Sequence, residues 1–352
     1  MTALIDELAL PGQPALPGLQ FRRFRGPEDY AGMAAANQAA RDGDGIEEVV
    51  SETSIANTYE HLVNSDPRTD LVIVERAGRI VGYARVEWRD LTDGTRQYFS
   101  ICLVDPAERG QRIGGTLLAW TETRLAAIAS GLPDAASVPG TMNCYTFGAD
   151  RHATSLLTAR GWTEDGRGYE MARATLEEVP SVPMPEGLVV RPIGLDEAAR
   201  RQVWDASSEA FRDHRSETET AEEDWAAFLA DPRQDPALWL VGFDGDQVAG
   251  AVLGLIDPVE NAHHGRERGV LASVFTRRPW RRRGLARALI ARALVRLRDH
   301  GMTGAYLGVD GLNPNRAMTL YSSLGFEIVS QSIDWKKPLP PETGVKPPVP
   351  TS

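Results

Sequence analysis

The chain repeats itself. Each of two blocks opens with a short strand-like run carrying arginine, LQFRRF at 19–24 and LVVRPI at 188–193. A helical stretch of mixed polarity follows in both. Then come two alternating apolar runs around a glycine-containing turn, at 71–88 and 238–256, the pattern of a β-hairpin. Another strand, YFSICLV at 98–104 or GVLASVF at 269–275, leads through an arginine-rich turn into an amphipathic helix. In the second copy Leu285, Leu289, Ala293 and Leu297 recur at spacing four and share one helix face. A further strand, a helix and a Gly-aromatic pair, Gly161-Trp162 or Gly325-Phe326, close each block. Strands alternating with helices specify an α/β unit, here used twice. The 352 residues, at about 150 per domain, match two domains.

The expected boundaries follow from proline. Residues 1–17 read as an irregular N-terminal arm, 18–173 as the first domain and 188–335 as the second. Between them, 174–187 holds Pro180, Pro183 and Pro185 and reads as a linker. Residues 336–352 are dense in proline and read as a disordered tail.

Charge and cysteine content narrow the function. Lys plus Arg number 38 and Asp plus Glu 49, a net charge of −11. An acidic chain of this kind argues against nucleic-acid partners and against a polybasic membrane clamp. No apolar run approaches the ~18–20 residues that cross a bilayer. The first residues include Asp6 and Glu7 and no basic residue, unlike a secretory leader, so a cytoplasmic protein is expected. Two cysteines, Cys102 and Cys144, are too few for a disulfide scaffold or a Cys-rich zinc site. No metal centre is expected. The thiols read as packing groups on strands of the first domain.

The sharpest local signal is Arg281-Arg282-Arg283-Gly284-Leu285-Ala286, between a strand and the start of a helix. A helix start carries unpaired N–H groups and the positive end of the helix dipole. A diphosphate can sit there if the backbone is not covered, which Gly284 and the small Ala286 allow. A solvated basic turn is the plainer reading of the same residues. No Gly-Lys-Ser/Thr follows, so a Walker loop is excluded, and a dinucleotide fingerprint is absent. The second signal is the segment Asn313 to Phe326 (NPNRAMTLYSSLGF). Helical spacing there turns Leu320 and Leu324 to the core and Tyr321 away from the most buried line. Tyr321 is then either a packing group with a polar handle or a proton donor.

Together, the R-x-x-G-x-A turn at 281–286, the preceding SVFTRRPW and the N-x-x-x-A-x-x-L-Y-x-x-x-G-F segment resemble the GNAT superfamily of acyl-CoA N-acyltransferases. The match covers about residues 188–335, and a weaker copy covers about 18–173. The whole chain thus resembles the tandem GNAT type. The resemblance implies two GNAT-like domains, each a mixed, mostly antiparallel sheet with a central splay, flanked by helices. It implies acetyl-CoA as co-substrate and a primary amine of a small molecule or peptide as acceptor, in a monomer or homodimer.

Carried over by the same resemblance, the backbone of Val274, Phe275 and Thr276 would pair with the pantetheine arm like an added strand. The backbone of Arg283 to Ala286, with the turn's arginines and the flanking Leu285 and Arg287, would hold the diphosphate. Asn313 would contact pantetheine or hold the next strand open. Tyr321 would protonate the departing thiolate. A base for the amine would come from the helix-loop Glu209 to Arg215, which offers Glu209, Asp213 and His214. His214 alone has an ordinary pKa near neutrality. His263 and His264 are a poorer choice, and a base working through water is a further one.

The first block departs at two places. Arg112 stands where the second has Gly284, and Leu157 where it has Tyr321; leucine has no proton to give. Catalysis is therefore expected in the second domain, with the first structural. A non-catalytic CoA sensor is the competing expectation. The acidic run Glu217, Glu219, Glu222, Glu223 and Asp224 reads as a solvated face, with attraction of a cationic acceptor as the alternative.

Overall fold

The computed structural model describes residues 6–312 and 317–340. In the N-terminal half the elements are β1 (Glu7–Leu8), β2 (Leu19–Arg23), α1 (Tyr30–Gly43), α2 (Glu52–Glu60), β3 (Leu71–Arg76), β4 (Arg79–Asp90), β5 (Arg96–Val104), α3 (Ile113–Gly131), β6 (Gly140–Phe147), α4 (Arg151–Ala159) and β7 (Thr163–Arg173). The C-terminal half adds β8 (Val189–Arg191), α5 (Glu197–Phe211), α6 (Glu222–Ala230), β9 (Gln234–Asp244), β10 (Gln247–Ile256), α7 (Pro258–His264), β11 (Arg268–Thr276), α8 (Leu285–Asp299), β12 (Gly304–Asp310), α9 (Ala317–Ser322) and β13 (Glu327–Pro338). The fold is α/β, two units of like element order built on a mixed, mostly antiparallel sheet.

One continuous sheet of 13 strands runs through both halves, in the order β1-β2-β3-β4-β5-β6-β13-β7-β12-β11-β10-β9-β8. Each half contains one parallel pair, β5 with β6 and β11 with β12. Both parallel pairs hold together at one end only. β5 meets β6 from Arg96 to Ser100, and β11 meets β12 from Arg268 to Val270. Beyond those points the strands diverge, which opens a gap in each half of the sheet.

Repetition in the sequence becomes repetition in packing. Gly82 in β4 and Gly250 in β10 cross the neighbouring strand so closely that a Cβ would lie 2.6 Å from the carbonyl oxygen of Leu103 or of Phe275. Only glycine fits either place. Helices α3 and α8 cover one face of the sheet. Leu285, Leu289, Ala293 and Leu297 are all buried there, as their spacing requires. Helices α1 and α2, or α5 and α6, cover the other face.

At the centre each half is completed by a strand of the other. β13, the last strand of the chain, pairs with β6, and β7 pairs with β12. Ile333 and Trp335 of β13 are buried in the core of the first half, whereas Met171 of β7 is buried in the core of the second. Alternation along a strand shows which face is apolar, not which neighbour it will meet, so the sequence is silent on this exchange.

Two terminal segments differ from expectation. β1 lies inside the arm expected to be irregular, because Glu7 and Leu8 pair with Arg22 and Phe21. Residues 336–338, expected in the tail, extend β13; Lys337 Nζ donates to Glu122 Oε1 at 2.9 Å and to the Arg160 carbonyl at 2.8 Å. The remaining tail residues from 341 onward lie outside the described residues. The proline-rich connection is anchored: Leu176 is buried, and its N–H donates to Thr303 O at 2.8 Å. The acidic run is solvated at Glu219, Glu222 and Glu223 and tied down at Asp224. Asp224 receives Arg89 of the first half at 2.6 Å and caps the Ala221 N–H, while Glu222 pairs with Arg201.

Candidate active site

In the second half the strand β11 carries the first part of the site. Its register with β10 shifts between Leu253 and Gly254, which face Ser273 and Leu271, so Ala272 is an extra residue. A bulge of this kind bends the strand and leaves backbone groups without ladder partners. From Leu271 to Thr276 the edge turned toward β12 makes no ladder with it. The Oγ of Ser273 and Oγ1 of Thr276 are buried without a hydrogen-bond partner among the described residues. The opposing strand stays at a distance, so an extended chain can lie in the gap.

The turn into α8 carries the second part. Arg282 (φ 64) and Gly284 (φ 86) are both left-handed, and a Cβ at Gly284 would meet nothing within 4 Å. Arg281 braces this turn from inside: Nε donates to Thr276 O at 3.0 Å, Nη1 to Asp213 at 2.6 Å and Nη2 to Ala210 O at 2.9 Å. Arg281 is thus spent on holding the turn to α5. Arg283 donates to the Glu186 carbonyl at 3.1 Å, and Arg287 to Ser323 Oγ at 2.6 Å. The first turn of α8 carries backbone N–H groups that have no partner within the helix.

These parts line one cavity of about 510 Å³, with Val274, Phe275, Thr276, Gly284 and Tyr321 on its wall. Tyr321 is 6% exposed and its ring meets Phe326 edge-on at 6.1 Å. It is more buried than Leu320, contrary to the expectation from helical spacing, because α9 is one short turn that leans its Tyr321 side onto the core. Burial pushes the phenol up to about 12, so it keeps its proton at neutral pH.

Of the base candidates the structure brings one to the cavity. His214 lines it beside Phe211, and so does Asp310, at the end of β12, which the sequence reading did not single out. Burial holds His214 below its ordinary value; Asp310 opposes this and Arg281 adds to it. Asp310 carries no motif of its own and is found only once the strands are placed. Glu209 instead pairs with Arg277 at 2.6 Å, and Asp213 pairs with Arg281 and Arg278. His264 is bonded to the carbonyl of Glu47, in the other half. Asn313 lies outside the described residues.

The first half repeats the frame with different contents. Arg109 braces its turn as Arg281 does, through Val104 O and Asp44. Gly110 (φ 78) and Arg112 (φ 68) take the same two left-handed positions, so Arg112 shares the backbone conformation of Gly284. β4 and β5 pair without a bulge from Gly82 to Asp90. Leu157, buried, stands in the place of Tyr321. The cavity here is larger, about 1340 Å³, and the C-terminal half contributes to its wall. Cys102, exposed to the cavity, and Cys144, buried, both line it, and burial pushes the Cys144 thiol up.

The model of the acetyltransferase (GNAT) family matches residues 35–143 and 200–326. A mycothiol acetyltransferase of Geodermatophilus obscurus is 28% identical over 324 residues, covering 88% of this chain and 95% of its own. One from Beutenbergia cavernae is 30% identical over 310 residues, covering 85% and 92%. Among solved structures, a GCN5-related N-acetyltransferase from Sphaerobacter thermophilus superposes with a TM-score of 0.69 at 25% identity, over 95% of this chain and 98% of that one. A tandem GNAT protein from the clavulanic acid biosynthesis pathway shares the fold, with a TM-score of 0.60 at 16% identity, over 92% and 99%. The chain belongs to the acetyltransferase (GNAT) family, and it is an acetyltransferase with acetyl-CoA as its co-substrate.

Proposed function

We propose that the C-terminal half transfers the acetyl group to a primary amine by direct attack, and that the N-terminal half takes no part in the chemistry. The observation that carries this reading is the contrast between two copies of one frame. The second copy has a bulged, unpaired β11 edge, and Tyr321 lines its cavity; the first has an unbulged β5 and Leu157.

The residues at hand divide the work. Val274, Phe275 and Thr276 offer backbone groups to an extended pantetheine arm, and the orphaned hydroxyls of Ser273 and Thr276 suit its amides. The N–H groups from Arg283 to Ala286 at the α8 start hold the diphosphate, with Arg282 and Arg287 beside it and Arg281 keeping the turn in place. An N–H of the bulged segment faces the oxygen that gains charge as the amine attacks. His214, held neutral by burial, takes the proton from the amine, and Asp310 orients the cationic form of that amine before it is lost. Tyr321 gives its proton to the departing thiolate. The relatives named mycothiol acetyltransferase make a mycothiol-type amine the first acceptor to try.

Thiol release from acetyl-CoA across a panel of amines, mycothiol-type amines included, tests the reading. Tyr321→Phe is expected to lower kcat about 10²-fold while KM for acetyl-CoA moves little. Equal turnover by Tyr321→Phe and the parent would remove the phenol from the acid role.

A further inference from the structure

The larger cavity in the N-terminal half has contents that its own fold does not require. Counted from the matching glycines Gly82 and Gly250, Arg85 of β4 corresponds to Leu253 of β10. Leu253 packs into the apolar layer under α5 and α6, beside Trp239, with Phe228 against the same layer. Arg85 instead lines the open cavity under α1 and α2, with its side chain only 7% exposed. Its Nη1 donates to Glu87 Oε2 at 2.5 Å, and Cζ stands 5.5 Å from the ring centre of Tyr59. Nε has no partner among the described residues. Nearby on the same wall, Asn57 Oδ1 is also buried and unpartnered, and Tyr83 receives Asn37 Nδ2 at 2.9 Å. Glu87 corresponds in the same count to Leu255.

A buried arginine is costly to keep when leucine serves the same strand position elsewhere in the chain. An unused guanidinium N–H beside aromatic and amide groups suits a planar anion better than it suits water. We propose that this cavity is a second, non-catalytic ligand site that takes a small molecule ending in a carboxylate, seated on Arg85. Leu157 and the unbulged β5 leave the ligand bound and unchanged. That the ligand stays unchanged rests on the assignment of acetyl transfer to the C-terminal half, whereas the titration below reads binding alone.

The carboxylate can belong to a free dicarboxylic acid or to the acyl end of a CoA thioester, since the cavity also reaches the turn at Gly110 to Gly115. Isothermal titration with two matched pairs separates these sources: glutarate against pentane-1,5-diol, and glutaryl-CoA against pentanoyl-CoA. In at least one pair the carboxylate member is expected to bind at least tenfold more tightly, and the pair that shows it names the source. Arg85→Leu with Glu87→Leu, the residues of the other half, removes both ion-pair partners together and is expected to erase the difference. Its thermal midpoint reports whether the fold survives. Arg85→Lys keeps the charge and is expected to weaken the preferred ligand several-fold. No preference in either pair, or a preference that persists unchanged in Arg85→Lys or in the double variant, overturns the proposal.

Discussion

At the scale of single residues, the proposed chemistry depends on groups held in the protonation state that each needs. His214 must be neutral to accept a proton, and burial favours that form. The expected kcat/KM therefore rises with pH through a midpoint below 6.5 and is flat across neutrality. Tyr321, pushed up to about 12, imposes no falling limb until far above that range. His214→Gln is expected to abolish the rising limb and lower turnover about 10²-fold. A pH profile of the variant with the parent's limb intact would assign the base elsewhere. The same shift links to stability: a histidine whose folded value is depressed binds its proton less readily in the fold. Its contribution is intact above about 6.5 and is lost as pH falls through the lower folded value. Tyr321 could be singled out from its motif and His214 from its place on the helix-loop Glu209 to Arg215, and both line the cavity. Asp310 could not, since only the parting of β12 from β11 turns it to the cavity.

At the scale of elements, strand–turn–helix units were the most legible part of the chain. Periodicity marks the buried face of α8, and glycine with arginine marks the turn. Less legible was how a turn of this kind tolerates side chains. The Gly110 and Arg112 pair and the Arg282 and Gly284 pair occupy the same two left-handed positions with glycine at opposite places. A side chain at 284 is therefore no steric obstacle to the fold, and a Cβ there has open space. Charge is a different matter. Gly284→Asp puts a carboxylate at the start of α8, where it suits the helix dipole but repels a diphosphate. Asp also tolerates positive φ better than most residues. The expected outcome is stability within about 1 kcal/mol of the parent by denaturant unfolding. Acetyl-CoA binding should weaken at least about tenfold in titration, from like-charge repulsion at short range. Unaltered affinity would place the diphosphate away from this turn.

At the scale of the whole molecule, the two halves are covalent neighbours that also complete each other. The sequence shows two blocks, each closed by a strand, a helix and a Gly-aromatic pair, and does not tell which strands meet at the centre. Pairing partners are set by three-dimensional geometry, so β7 and β13 change places without any trace in their alternation. The consequence is that a lesion near the C-terminus should be felt in the N-terminal half. Trp335 is buried in one core with Leu118, Leu125 and its strand partner Cys144, and its Nε1 donates to Thr146 Oγ1 at 3.0 Å. Trp335→Ala removes that core contact, at a cost of about 3–5 kcal/mol. In hydrogen exchange, α3 and β6 should then lose protection before α8 does, although Trp335 lies after α8 in the chain. Protection lost first around α8 would mean that β13 supports its own half, and that the exchanged strands do not couple the two cores.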